Sequence, residues 1–428
     1  MNQQEQNEQE FAFIKEKIKD KPINKKRFLI RVGYHFLCAV IFGAVACFVF
    51  VWLKPYIEDW LYPEEKSAIS IPKDDFPKEE EKPEEEAEEP PKEPENQTVV
   101  VQEELEIEDY QSLQNKLYAI GKQANKSVVT VTGVTSGMDW FNTPYENENR
   151  ASGIVIGNNG QELLILTEKK VITDVQAISI TFIDDTVVSA SLKKYDGNTG
   201  IAVISVPLET IPEGTMNQVE TACLGNSYTI NQGSTVLAIG SPLGTNYSIL
   251  CGTITSSKNE VSTIDRNYTI FTTDIVGSAS GSGVLINLKG EIVGLVLQDY
   301  SSSSDRNTIT ALSVSELKQV IEDLSNGRDI PYVGLRLSTV TDEIAEEYKI
   351  PKGVYIKSVE LDSPAMAAGL QEADVITMIN GEEITTVEQY NQKIYTLNPE
   401  DNVSITIKRQ SGEEYVDFEC AAVIGILK

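Results

Sequence analysis

The chain has 428 residues, with 65 Asp and Glu against 36 Lys and Arg and a formal net charge of −29. That length allows about two or three domains, and 41% hydrophobic with 24% charged residues is globular composition rather than that of a chain disordered throughout. The acidity excludes a nucleic-acid binder, which needs a basic surface to replace counterions. A single histidine, His35, excludes a soluble histidine-based active site or a multi-histidine metal site.

In chain order, residues 1–31 are a basic tail, with Lys15, Lys17, Lys19, Lys21, Lys25, Lys26, Arg27 and Arg31 against Glu16 and Asp20 near the next segment. Residues 32–53 (VGYHFLCAVIFGAVACFVFVWL) carry no formal charge. They are long enough to cross a bilayer as helix and too long for the apolar core of a cleaved signal. The basic flank stays in the cytoplasm. The expectation is a single-pass cell-membrane protein with its N-terminus cytoplasmic and its main domains outside. Residues 54–108 read as an acidic, Pro/Glu-rich linker. Its clearest part, 73–95, holds twelve acids, four lysines and five prolines, which keep a chain extended and solvated.

Apolar residues at Leu113, Leu117 and Ile120 predict a helix over 109–121. From 127 to about 300 the pattern changes to short β runs such as GIVIG, ELLILT and STVLAIG, separated by turn signals, as in a barrel or sandwich. An amphipathic helix follows over 314–324 and stops at Ser325-Asn326-Gly327. A smaller α+β unit fills 331 to about 423. The five cysteines lack CxxC spacing and make neither a zinc site nor a dense disulfide scaffold. No metal and no cofactor are expected.

Several stretches resemble the HtrA/DegP family, trypsin-like serine proteases with a C-terminal PDZ domain. Residues 151–172 (ASGIVIGNNGQELLILTEKKVI) resemble the strands that carry the family's histidine, and 197–206 (GNTGIAVISV) the segment with its aspartate. Residues 233–244 (GSTVLAIGSPLG) and 273–295 (TDIVGSASGSGVLINLKGEIVGL) are similar to the family's G-x-x-V-x-A-I-G-N-P-x-G turn and serine-bearing segment. YVGL at 332–335 and SPAMAAGLQEADVITMINGEEI at 363–384 resemble a bacterial PDZ domain. The resemblance implies a mainly β chain: a trypsin-like double β-barrel over 109–326, then an α+β PDZ-like domain over 327–428. It also implies a homotrimer.

The chemistry departs from the family. Lys170 stands at the histidine position and Gly200 at the aspartate position. The serine position falls on Gly281, or on Ser280 with a one-residue insertion. A triad needs His to take the proton of Ser and Asp to orient the His, so the expectation is a fold that has lost proteolysis. One alternative is an active serine endopeptidase of protein quality control, by a Ser–Lys dyad of Lys170 with Ser280 or Ser282. A second is a structural tether.

In the terminal domain, the resemblance implies binding of peptide or protein C-termini as an added strand, with the carboxylate in a nest of backbone N–H groups. Tyr332, Val333, Gly334 and Leu335 would form that loop, Leu335 and Leu337 the edge strand, and Tyr390 and Ile394 the apolar side of the groove. Val387 and Leu397 are assigned to the core. The function expected is therefore that of a scaffold or quality-control regulator.

Overall fold

The chain divides, in a computed structural model, into two compact units, Met1–Glu65 and Lys66–Lys428. The residues described are 34, 36, 40, 41, 45, 49, 67–74, 106–138, 144–301, 307–412 and 414–427. In the first unit Tyr34, Phe36, Val40, Ile41, Val45 and Val49 are helical and exposed. The rest of the expected span 32–53 lies outside the described residues, as do 75–95 of the acidic linker. Among the described residues no helix is long and apolar enough to cross a membrane.

The central strands of the second unit, such as Glu162–Glu168, Ile201–Pro207, Thr235–Ser241, Ser282–Ile286 and Ile292–Leu297, are continuous apolar runs because both of their faces are buried. In the run ELLILT, Leu163 and Ile165 point into one barrel while Leu164 and Leu166 face the other, following the two-residue period of a strand. The first barrel comprises β1 (Val128–Met138), β2 (Pro144–Asn158), β3 (Glu162–Glu168), β4 (Ala177–Thr181), β5 (Val187–Tyr195) and β6 (Ile201–Pro207). It closes in the order β1-β2-β3-β6-β5-β4, with Val131 opposite Ile180 at the closure. The second comprises β7 (Thr235–Ser241), β8 (Ser248–Ser262), β9 (Asn267–Val276), β10 (Ser282–Ile286), β11 (Ile292–Leu297) and β12 (Thr308–Ser313), in the order β10-β11-β12-β9-β8-β7. Closure leaves neither sheet an unpaired edge.

Two helices frame the barrels. Helix α1 (Ile107–Ala124) begins two residues before the predicted start, where the Glu106 N–H donates to Asp109 Oδ2 at 3.0 Å. A one-turn helix, α2 (Lys169–Ile172), leaves β3 directly. Helix α3 (Val314–Ser325) buries Leu317, Val320, Ile321 and Leu324 in the seam between the barrels.

Residues 67–74, read from sequence as linker, lie along α3. The Ile69 N–H donates to Asn326 Oδ1 at 2.9 Å and the Ile71 N–H to Glu322 Oε2 at 3.0 Å. Ile71 is buried, and Asp74 pairs with Lys318 at 2.8 Å. The acidic stretch therefore starts from an anchored strap.

The terminal domain begins with β13 (Pro331–Tyr332). Its sheet runs β14 (Leu335–Thr339), β15 (Val354–Val359), β16 (Val375–Ile379), β18 (Asn402–Ser411) and β19 (Glu414–Val423), with β17 (Glu382–Glu383) on β16 and β20 (Gly425–Ile426) on β13. Helices α4 (Asp342–Tyr348), α5 (Pro364–Ala367) and α6 (Val387–Tyr395) accompany it. Its own core gathers Leu335, Leu337, Ile356, Ile376, Tyr390, Ile394 and Ile405.

Candidate functional site

Two places carry the residues singled out by sequence. The first follows β3, where α2 holds itself down by burying Val171 and Ile172. The Lys169 N–H donates to the Gly200 carbonyl at 2.7 Å, tying α2 to the turn before β6. Gly200, at φ +72°, takes the left-handed turn that a side chain would strain. Lys170 and Gly200 thus line one cleft with Glu168, Thr199, Leu297 and Asp299. The Lys170 ammonium is 2.5 Å from Glu168 Oε2 and 3.9 Å from Asp299 Oδ2. Burial raises the Glu168 carboxyl above its ordinary range, and Lys170 pulls it back down.

The segment before β10 is not among the residues that line this cleft. Ser280 is exposed in a turn, its Oγ 3.4 Å from Ser278 Oγ. Ser282 is buried, and its Oγ accepts the Ser152 N–H at 2.9 Å. An oxyanion hole of trypsin type uses the N–H of the nucleophile and of the residue two before it. The Ser278 N–H is spent on the Pro242 carbonyl at 2.9 Å and the Gly281 N–H on the Ser278 carbonyl at 2.8 Å. Whichever of Ser280 and Gly281 takes the serine position, one of the two donors is already used.

The second place is the loop entering β14. Gly334 has φ +96°, and a Cβ there would lie 2.3 Å from Ser363 Cβ, so only glycine fits. This conformation turns three successive N–H groups to one point. Val333 N–H and Gly334 N–H donate to Asp265 Oδ2 at 2.7 and 2.8 Å, and Leu335 N–H to Asp265 Oδ1 at 3.0 Å. The Tyr390 hydroxyl adds a fourth donor to Oδ1 at 3.0 Å. The loop is a carboxylate nest, and the carboxylate comes from the turn between β8 and β9. Burial raises the Asp265 carboxyl above its ordinary range, against the pull of its four donors.

The same turn pairs with the edge of β14. The Asp265 N–H donates to the Leu335 carbonyl at 2.5 Å, and Arg336 Nη1 to the Ser262 carbonyl at 2.9 Å. Arg266 lies over the Tyr395 ring, 3.5 Å from its centroid. Leu335, Leu337, Tyr390 and Ile394 were expected to line an open groove, yet all four are buried, as Val333 and Val387 are. These side chains join the domain core, as was expected for Val387, and the turn covers the edge of β14. Tyr332 is half-buried, and Leu397 packs at the edge of the core.

Comparison with known proteins agrees with this geometry. Residues 151–295 match the trypsin-like peptidase domain family and residues 331–419 the PDZ domain family. The chain is similar to serine proteases of the HtrA and DegP type. Over 286 residues it is 26% identical to the serine protease Do-like HtrA of Lactobacillus helveticus, covering 63% of this chain and 67% of that one. Over 283 residues it is 29% identical to a probable periplasmic serine endoprotease DegP-like of Hahella chejuensis, covering 64% and 58%. The chain thus spans between about half and two thirds of the length of the curated relatives it matches. In fold it is similar to the HtrA-type protease AlgW with decapeptide, at a TM-score of 0.53 and 20% identity, covering 72% of this chain and 98% of that one.

Within this HtrA-like frame, Asp265 is the residue that sequence reasoning missed. STIDRN between two β runs reads as an ordinary polar turn, and Asp at φ +58° is common in turns. Nothing local marks it as the partner of a loop about 70 residues further on.

Proposed function

We propose that this HtrA-like chain is an outward-facing, membrane-anchored protein that has lost proteolysis and binds the free C-termini of peptides or proteins through its PDZ domain. The observation that carries the reading is the convergence of the Val333, Gly334 and Leu335 N–H groups on one carboxylate. A nest that already holds a side-chain carboxylate has the donors to hold a terminal one. A decapeptide accompanies AlgW, whose fold is similar.

Loss of proteolysis is supported by the lone histidine in the apolar segment and by Lys170 and Gly200 at the acid–base positions. The pairing of Lys170 with carboxylates and the spent N–H groups at Ser278 and Gly281 support it too. The anchor rests on the uncharged 32–53 segment and its basic flank. Likeness to periplasmic endoproteases supports a scaffold or quality-control role outside the cytoplasm.

The test titrates the full chain, in detergent, with paired fluorescent peptides ending in a free or an amidated apolar residue. Free-acid peptides bind at least about tenfold more tightly, a difference of about 1.4 kcal/mol. Equal affinity for both forms removes the reading and leaves a structural tether.

A further inference from the structure

The turn at 263–266 meets the carboxylate loop as a bound peptide end would. A peptide added to a sheet edge makes main-chain hydrogen bonds to the strand and places its carboxylate in the nest. Asp265 does both: its N–H donates to the Leu335 carbonyl, and its carboxylate takes the N–H groups of Val333, Gly334 and Leu335. Two side-chain bonds add to this contact along β14: the Arg336 guanidinium donates to the Ser262 carbonyl, and Ser262 Oγ donates to the Leu337 carbonyl at 3.4 Å. The difference from a true terminus is that the carboxylate belongs to a side chain.

We propose that the turn around Asp265 is an internal ligand that occupies the PDZ carboxylate loop, so that a free C-terminus binds by displacing it. The inference rests on the reading of that loop as a peptide-binding site. Physically, Asp265 is a tethered competitor, whose effective concentration is set by the barrel that holds it. A site free in only about one molecule in ten binds its ligand about tenfold more weakly. The turn joins β8 to β9, which form part of the second barrel, so displacement also loosens the contact of that barrel with the PDZ domain. Arg266 is drawn along with it, because its guanidinium is stacked on Tyr395 of α6 and donates to the Tyr268 hydroxyl at 3.4 Å.

Two variants remove the carboxylate without forcing the backbone. Asp265→Gly suits φ +58°, and Asp265→Asn keeps the size and tolerates the same conformation. The full chain and both variants are titrated with the free-acid and amidated peptides ending in an apolar residue. Hydrogen exchange at Val333, Gly334 and Leu335 is followed in parallel without peptide. The expected result is at least about tenfold faster exchange of these three amides in Asp265→Gly, with free-acid peptides bound at least about tenfold more tightly than by the native chain. Asp265→Asn falls between them. Equal affinity of native chain and variants, with the free-acid preference intact, overturns the internal ligand and leaves the peptide-binding reading standing. Exposed amides in Asp265→Gly with no preference for free-acid peptides overturn both.

Discussion

The Tyr390 hydroxyl donates to Asp265 Oδ1 at 3.0 Å, joining helix α6 of the PDZ domain to the turn of the second barrel. Both residues are buried. Burial and the adjacent Asp265 push the Tyr390 phenol well above its ordinary range, so it stays protonated and can donate. Tyr390→Phe removes this bond and leaves the carboxylate its three backbone donors. A hydrogen bond to a charged group contributes about 1.5–3 kcal/mol, so denaturant unfolding of the full chain should show a loss of that size. Exchange of the Gly334 amide should also quicken. An unchanged midpoint and unchanged exchange would mean that the bond holds nothing together.

A buried cation depends on the strap before the acidic stretch. The Lys318 side chain is 4% exposed, and its ammonium is 2.8 Å from Asp74. Ser315 Oγ donates to the same carboxylate oxygen at 2.5 Å. Asp74→Ala leaves a buried ammonium without its carboxylate, which costs about 3–5 kcal/mol. Adding Lys318→Met to that variant should recover most of the loss, because an apolar side chain of similar length needs no partner. Equal stability of Asp74→Ala and native chain in urea would show residues 67–74 to be unattached.

Glu316 gives the fold a pH dependence with a definite sign. Its carboxylate accepts the Thr269 N–H at 2.6 Å and the Thr269 hydroxyl at 2.7 Å. Burial nonetheless raises its pKa to about 7, against the lowering by Thr269, and Glu260 and Glu388 add to the rise. The folded state therefore holds its proton more tightly than the unfolded state. Its contribution is fully present below the ordinary carboxyl range and is lost as pH rises through about 7, up to about 3 kcal/mol in all. Urea midpoints of native chain and Glu316→Gln, measured from pH 5 to 8, should draw together as the native chain is made more acidic and separate as pH rises. Parallel curves would contradict the assignment.

Serine chemistry is expected to be silent. The full chain should neither take up a serine-reactive fluorophosphonate nor degrade casein above background, and Ser280→Ala and Lys170→Ala should change neither readout. Turnover that survives purification and disappears in either variant would establish a Ser–Lys dyad.

Much of the fold was legible because its signals are local. Apolar runs such as GIVIG and ELLILT become barrel strands, and VSELKQVIEDL becomes α3 up to the Gly327 turn. Lys170 and Gly200, noticed by their motif context, do share a cleft. Gly334, placed by resemblance in the carboxylate loop, has φ +96°, and Ser363 fills the space a side chain would take. The same crowding means that Gly334→Val would deform the loop as well as fill it. Asp265 and Asp74 were not legible, since a polar turn residue and the first acid of a charged run look the same whether solvated or docked. Their roles come from partners at 333–335 and 318, far along the chain.

The central claim, a protein that binds C-termini and does not cut, is tested most directly by mass spectrometry of a mixed peptide pool. Equal amounts of free-acid and amidated peptides ending in apolar residues are incubated with the full chain, native and Asp265→Gly. The bound and unbound fractions are then sequenced. The account predicts that the bound fraction is enriched in intact free-acid peptides, more strongly for Asp265→Gly, and that no shortened products accumulate in either fraction. Shortened peptides that accumulate with time, or a bound fraction equally rich in amidated peptides, would contradict it.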